Sequence, residues 1–222
     1  MRFENFKEDV SRWGLRKALF VRLMRRVENY LRFRIFVIHS RTLDANVALD
    51  EVPEGAVARL LTEHELLEFA RDPQLDLASD SIRTSSARGD ICFGYVDQGM
   101  LVAYSWYATR ATRAEMGLWV RFPDGFSYGY KSFTRPSYRG RHLQECLTHL
   151  AERRRIELGA RYNIGYIDVL NLSSIKADRR YGNRPVGYAG YARWFGRLRV
   201  FHSPGARKCG FEFFAPSPKE AP

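Results

Sequence analysis

The sequence predicts an α+β domain in which a mixed, mainly antiparallel central sheet is flanked by helices. Three observations lead there. The 222 residues are 45% hydrophobic and 27% charged, which suits one domain with one core and leaves no room for a second catalytic domain. Apolar residues alternate through the middle of the chain but recur at helical spacing at the N-terminus and after residue 141. The turn signals Gln98-Gly99 and Pro123-Asp124-Gly125 separate the alternating runs as hairpins would.

Taken in order, residues 10–33 place Trp13, Leu15, Leu19, Phe20, Leu23, Val27, Tyr30 and Leu31 at helical spacing among arginines, a basic amphipathic helix. It is expected to dock through Trp13, Phe20, Leu23, Val27 and Leu31 and to leave its arginines outward. Arg34 to His39 reads as a strand, and a polar stretch with Pro53 and Gly55 leads to a second helix around Thr62 to Ala70. Asp72 to Asp90, rich in Ser, Asp and Arg, has no clear period. Ile91 to Val96 and Leu101 to Tyr107 then form an antiparallel pair, followed by strands over Met116 to Phe122 and Phe126 to Phe133. From Arg141, Leu143, Cys146, Leu147, Leu150 and Ala151 take helical spacing to Glu157, and Gly159 stops the run. Tyr162 to Leu170 reads as a strand, Asn171 to Tyr181 as a short helix, and Pro185 to Trp194 and Gly210 to Phe214 as closing strands. Residues 1–33 therefore form an N-terminal helical extension, 34–215 the domain, and 216–222 a polar, proline-containing tail expected to fray.

The net charge is +11, and residues 1–34 hold ten basic residues against four acidic ones. Such a chain favours anionic partners: phosphates, nucleic acid, an acidic protein or an anionic membrane surface. Cys92, Cys146 and Cys209 are scattered and odd in number, which gives neither a disulfide framework nor the spacing of a metal site. No stretch approaches the roughly 20 apolar residues of a membrane span, and no early apolar segment suggests a secretory leader. The expected location is the cytoplasm, with the basic helix able to hold the protein at the inner face of the membrane. Arg179 to Lys208 holds eight basic residues and no acid, interleaved with Tyr188, Tyr191, Trp194 and Phe195. Nucleic acid is disfavoured there, since closing strands already explain the aromatic alternation.

Between the strand ending near Thr134 and the helix opening at Arg141 lies Pro136-Ser137-Tyr138-Arg139-Gly140-Arg141-His142-Leu143. A strand running into a helix N-terminus presents unpaired N–H groups and the positive end of the helix dipole, a natural phosphate site. Here the sequence resembles the GNAT acyltransferase superfamily, whose motif Pro-x-Tyr-Arg-Gly-x-Gly-x-Gly precedes a Leu-rich helix. Pro136, Tyr138, Arg139, Gly140, Leu143 and Leu147 match it, while His142 and Gln144 replace the two later glycines. A second patch, Asn171 to Gly187, keeps the register of the family's Asn-x-x-Ala-x-x-x-Tyr-x-x-x-Gly-Phe at Asn171 and Gly182. Asp178 stands in place of that Tyr, and Asn183 in place of that Phe. The resemblance covers residues 91 to 195 and is closest in appearance to polysaccharide-associated members.

The resemblance implies acyl transfer from acetyl-CoA, another acyl-CoA or an acyl carrier protein thioester to a small-molecule amine, with an amino sugar as the leading acceptor class. It implies no metal. The thioester would lie where the fourth and fifth strands splay, so the chemistry needs titratable groups within reach of that gap. The implied donor site is Thr134, Arg139, Gly140, Arg141, His142, Leu143, Gln144, Asn171 and Ser174. Asp178 replaces the family's acid, and it can give a proton near neutral pH only where burial raises its pKa. Tyr181, one turn on, is the alternative acid. Asp168 near the end of the fifth strand, with Tyr128 and Tyr130 on the fourth, are candidates to orient or deprotonate the amine. His142 at the turn is expected to meet phosphate or solvent, and Cys146 to lie in the apolar helix face. The rival expectation is a degenerate GNAT fold that binds an anionic partner without catalysis.

Overall fold

The computed structural model describes residues 10–46, 56–195 and 197–216. Residues 1–9, the part of the polar stretch that holds Pro53 and Gly55, and the tail beyond Pro216 lie outside the described residues.

Helix α1 (Leu15–Leu31) leads into β1 (Phe33–Thr42), and after it come β2 (Ala56–Leu61), α2 (Glu63–Phe69) and α3 (Ser79–Ala87). The antiparallel run is β3 (Ile91–Asp97), β4 (Met100–Ala108), the short β5 (Thr112–Arg113) and β6 (Trp119–Arg121), then β7 (Phe126–Thr134). Next are α4 (Leu143–Glu157), β8 (Tyr162–Asp168), α5 (Leu172–Arg180), β9 (Arg184–Trp194), β10 (Arg197–His202), α6 (Pro204–Lys208) and β11 (Glu212–Phe214). Among the described residues these strands make an eight-stranded sheet in the order β10-β9-β1-β8-β7-β4-β3-β2 and a small sheet of β11-β6-β5. Only β7 and β8 run parallel; the other pairings are antiparallel, the mixed sheet that the alternating runs predict.

Local chemistry accounts for the boundaries. Gln98 and Gly99, at φ 48° and 78°, take the left-handed conformation that a two-residue hairpin needs. Thr62 and Glu65 form a reciprocal capping box that starts α2. Asp72 to Asp90 owes its order to tertiary contacts. Leu75 and Ile82 are buried with Leu101 and Tyr104, and the Tyr104 hydroxyl donates to Leu75 O at 2.7 Å. The strand expected over Met116 to Phe122 shrinks to Trp119–Arg121, because Met116 and Gly117 adopt positive φ and form a turn.

One sheet face packs Phe36, Ile38, Tyr128 and Ile164 against Leu118, Val120, Phe211 and Phe213 of the small sheet and its loops. On the opposite face, Leu143, Leu147 and Ala151 of α4 cover Phe93, Tyr95, Ala103 and Tyr107.

The N-terminal helix departs from expectation in two ways. Gly14, at φ 82°, interrupts the predicted run, and Arg32, at φ 51°, ends it. Its facing is also only partly the expected one, with Trp13 and Val27 half-buried. Phe20, Leu23 and Leu31 are exposed, whereas Ala18 and Glu28 are buried. Arg25 reaches inward to Asp168 with Nη1–Oδ2 2.5 Å and Nη2–Oδ1 3.1 Å. A two-pronged ion pair with the end of β8 and a buried Glu28 fix the inward side, and the large apolar residues lie elsewhere on the helix. No described helix is long and apolar enough to cross a membrane.

Candidate active site

Strands β7 and β8 are hydrogen-bonded only from Phe126/Tyr162 to Tyr128/Ile164. Beyond that point they part. The cause is visible on the other side of β7, where Trp106 pairs with Lys131 but Tyr107 pairs with Gly129, leaving Tyr130 as an extra residue. Such a bulge bends its strand, and the backbone of β7 beyond Tyr128 is left without a ladder partner on its β8 side. A cavity of about 1180 Å³ opens there, lined by residues of β1, β4, β7, β8, α1, α4 and α5. It exceeds the usual range of roughly 300–1,000 Å³ for one small-molecule site, so it has room for more than one substrate.

Within the gap stands His39 of β1, directly opposite Gly165 of β8. A Cβ at Gly165 would fall 2.6 Å from His39 Cε1 and 2.7 Å from Nε2, so the imidazole fills the space a side chain would occupy. The Gly129 carbonyl of β7 lies 3.6 Å from the same point. His39 Nδ1 is 3.1 Å from Asp178 Oδ1 of α5, a close approach whose angle falls short of a well-aligned hydrogen bond. Asn183 Nδ2 donates to Asp178 Oδ1 at 2.7 Å, and Asn163 Nδ2 donates to Asn183 Oδ1 at 3.0 Å. The chain continues inward. Arg155 Nη2 donates to Asn163 Oδ1, its Nε donates to Ser127 Oγ at 2.9 Å, and its guanidinium lies 4.4 Å from the Tyr107 ring centroid. This buried network holds α5 against β8 and fixes the Asp178 carboxyl facing the imidazole.

Burial dominates the electrostatics of the pair. It pushes Asp178 up to about 7 against the milder opposing pull of the Asn183 hydrogen bond and of Arg41 and Arg179. It pushes His39 down to about 4, with Asn183 again opposing. Both groups are driven toward their neutral forms. Between these values the pair carries one proton, on the Asp178 carboxyl.

The other candidates separate into those near the gap and those engaged elsewhere. Tyr181 caps α5 and lines the cavity, and burial raises its hydroxyl to about 12. Asp168 lies on the opposite sheet face from Asp178 and is held by Arg25 and by the N–H of Leu170 at 2.8 Å. The Tyr130 hydroxyl is 3.0 Å from both Ser85 Oγ and Asp90 Oδ2, turned toward α3. Tyr128 is buried among Tyr130, Tyr166 and Phe122. Cys146 is buried in α4, as its spacing predicts.

At the turn, Gly140 has φ 82° and open space around it, so its glycine serves conformation. His142 adopts φ 59°, the left-handed region that favours glycine, and its Nδ1 meets Glu145 Oε2 at 2.9 Å. The first backbone bonds of α4 run from Glu145 N and Cys146 N to His142 O, so the N–H groups of Leu143 and Gln144 point out of the helix start. The Gln144 side chain turns inward: its Nε2 donates to Phe133 O at 2.6 Å and Thr134 Oγ1 at 3.0 Å, and its Oε1 accepts from Ser105 Oγ at 2.6 Å. It leaves the turn uncrowded. Arg139 and Arg141 are exposed, with Arg139 Nε 3.3 Å from Thr134 O and Arg141 over the Tyr138 ring at 4.7 Å. Asn171 Oδ1 caps α5 by accepting from Ser174 N at 3.2 Å, and both residues line the cavity.

Sequence reasoning missed His39. A signal existed in Gly129 and Gly165, two mid-strand glycines with no turn to make, which mark a close approach.

No protein-family model and no curated protein match the sequence. Solved structures do match. A GCN5-related N-acetyltransferase from Sphaerobacter thermophilus superposes with TM-score 0.51 at 15% identity over 80% of this chain and 55% of that one. A Drosophila protein gives 0.51 at 15% over 74% and 52%, and a GNAT-family protein from Novosphingobium aromaticivorans gives 0.50 at 20% over 78% and 66%. The chain thus spans about half to two thirds of the length of these structures. At such identities the likeness is one of architecture, and it agrees with the splayed β7 and β8: this chain has the fold of the GNAT N-acetyltransferases.

Proposed function

We propose that the protein is a GNAT-type acyltransferase that moves an acetyl or longer acyl group from a CoA-type thioester to an amine across the gap between β7 and β8. The observation that carries this reading is the juxtaposition, in one cavity, of the parted strands and the one-proton His39–Asp178 pair. The donor's pyrophosphate would sit on the N–H groups of the Gly140–Gln144 turn, with Arg139 and Arg141 beside it and Asn171 and Ser174 along the cavity wall. An acidic acyl carrier protein would use the same two exposed arginines.

In the transfer, the amine nitrogen attacks the thioester carbonyl carbon, the C–N bond forms and the C–S bond breaks. One proton leaves the amine and one is needed at sulfur. The pair suits both demands, since Asp178 in its neutral form can protonate the thiolate and His39 in its neutral form can accept the amine proton. Tyr181 is a second donor within the cavity. On the opposite sheet face, where Asp168 is paired with Arg25, Glu115 lies near Phe36 and Tyr166, a carboxylate beside rings that fits a polar cationic acceptor such as an amino sugar. A cytoplasmic location supplies such donors.

The replacement of the family's Tyr by Asp178 favours one rival, a catalytically degenerate module that binds an anionic partner. Incubation with acetyl-CoA and pooled amines, following free thiol release and acylated product by mass, separates the two. Product that disappears in Asp178→Asn supports the enzyme. Donor binding without product from any amine supports the module.

A further inference from the structure

The inward side of α1 is spoken for by ion pairs: Arg25 with Asp168 and Glu28, and Arg34 with Glu28. Its outward side mixes large apolar residues with cations. Leu15, Leu19 and Leu23, spaced four residues apart, are 55%, 51% and 61% exposed, with Phe20 at 58%, Tyr30 at 86% and Leu31 at 53%. At about 100° per residue these share one side of the helix, with more large apolar side chains exposed together than scattered single residues on an ordinary monomer. Arg16, Lys17, Arg26 and Arg32 are exposed among them. The lone acid between residues 10 and 34 is Glu28, which is buried and already paired.

We propose that this face of α1 seats on an anionic lipid bilayer, with the leucines and Phe20 at the acyl boundary and the four cations in the headgroup layer. Exposed apolar residues interspersed with cations on one side of a helix suit the boundary between acyl chains and headgroups, where long basic side chains extend to the phosphates. Charge complementarity selects the occupant. Pairing two copies through this face would bring their arginines together with no acid to offset them, whereas anionic headgroups neutralise them. The same end of the molecule adds charge, since Arg193 N donates to Arg32 O at 2.9 Å and both Arg193 and Arg197 are exposed. Arg12, Trp13, Lys17, Val21 and Arg25 also line the cavity, so seating the helix sets the cavity beside the bilayer.

The test is flotation of the full chain with vesicles of phosphatidylcholine alone and of phosphatidylcholine with phosphatidylglycerol, at low and high salt. We expect capture by the anionic vesicles, weakening with salt. Leu19→Glu with Leu23→Glu, at exposed positions, should lower partitioning at least tenfold with an unchanged circular dichroism spectrum, and Arg16→Glu with Arg26→Glu should remove the preference for anionic lipid. Absence of capture overturns the proposal, as does capture that ignores Leu19→Glu/Leu23→Glu. A dimer in light scattering that this variant dissociates would assign the face to a second copy. Capture that appears only after removal of residues 1–9 would assign it to those residues.

Discussion

Cutting the His39–Asp178 pair one side at a time should tilt the pH dependence of stability in opposite directions. In the unfolded chain the ordinary values are 3.8 for Asp178 and 6.5 for His39; burial moves them to about 7 and about 4. As a set, the folded values of about 4 and 7 nearly reproduce the unfolded values of 3.8 and 6.5, so the intact pair contributes little slope. Asp178→Asn leaves a histidine whose folded value is depressed. The folded state then binds fewer protons than the unfolded state below pH 6.5, and stability falls as pH drops from there through about 4. His39→Asn leaves a carboxyl whose folded value is raised. Its folded state binds more protons above pH 3.8, so stability falls as pH climbs from there through about 7. At about 1.4 kcal/mol per unit, the window from pH 5 to pH 7.5 should, relative to wild type, bring the Asp178→Asn protein up by roughly 2–3 kcal/mol and take the His39→Asn protein down by roughly 2 kcal/mol. With urea slopes of roughly 1–3 kcal/mol per molar, these are midpoint shifts of about 1 M or more. Urea unfolding of all three proteins at pH 5, 6, 7 and 7.5 reads them directly. Parallel curves for the two variants would refute the claim that the groups are buried and mutually compensating.

Three further outcomes follow from the same geometry. Gly165→Ala puts a Cβ within 2.6–2.7 Å of the His39 ring, so it should cost roughly 1–3 kcal/mol in thermal or chemical unfolding and lower turnover more than donor affinity. Arg139→Ala with Arg141→Ala should weaken acyl-CoA binding by a few kcal/mol at most in calorimetry, because charge-assisted bonds contribute roughly 1.5–3 kcal/mol each and solvent screens exposed ones. Wild-type affinity in that folded double variant would place the phosphates elsewhere. Arg25→Met leaves Asp168 without its two-pronged partner and should raise proteolysis near α1 first, read by mass mapping of limited digests.

The sheet was legible because its strands alternate and its turns carry their chemistry on the surface of the sequence, as at Gln98-Gly99 and Gly125. The Asn171–Gly182 spacing likewise led to Asp178 in the cavity wall. What escaped depends on contacts far apart in the chain. Strand β2 follows residues that read as polar, and β10 runs at the sheet edge as Arg-Leu-Arg-Val-Phe-His, where alternation is masked by arginines. The facing of α1 could not be read from periodicity, since its arginines and leucines both repeat at helical spacing and only the partner Asp168, more than a hundred residues away, decides which side turns in. His39 looked like the end of an apolar strand; the glycine that gives its ring room is in another strand. Tyr130, chosen for its strand, was turned aside by a bulge whose one local signal is the neighbouring Gly129.

The central claim is that the thioester lies in the gap between β7 and β8 with its sulfur beside Asp178. A crystal structure of the protein with coenzyme A tests it most directly. The account predicts the pyrophosphate on the N–H groups of residues 140–144 and the thiol sulfur within hydrogen-bond reach of the Asp178 carboxyl. Coenzyme A ordered outside the gap, or with its sulfur on the Asp168 side of the sheet, would contradict it.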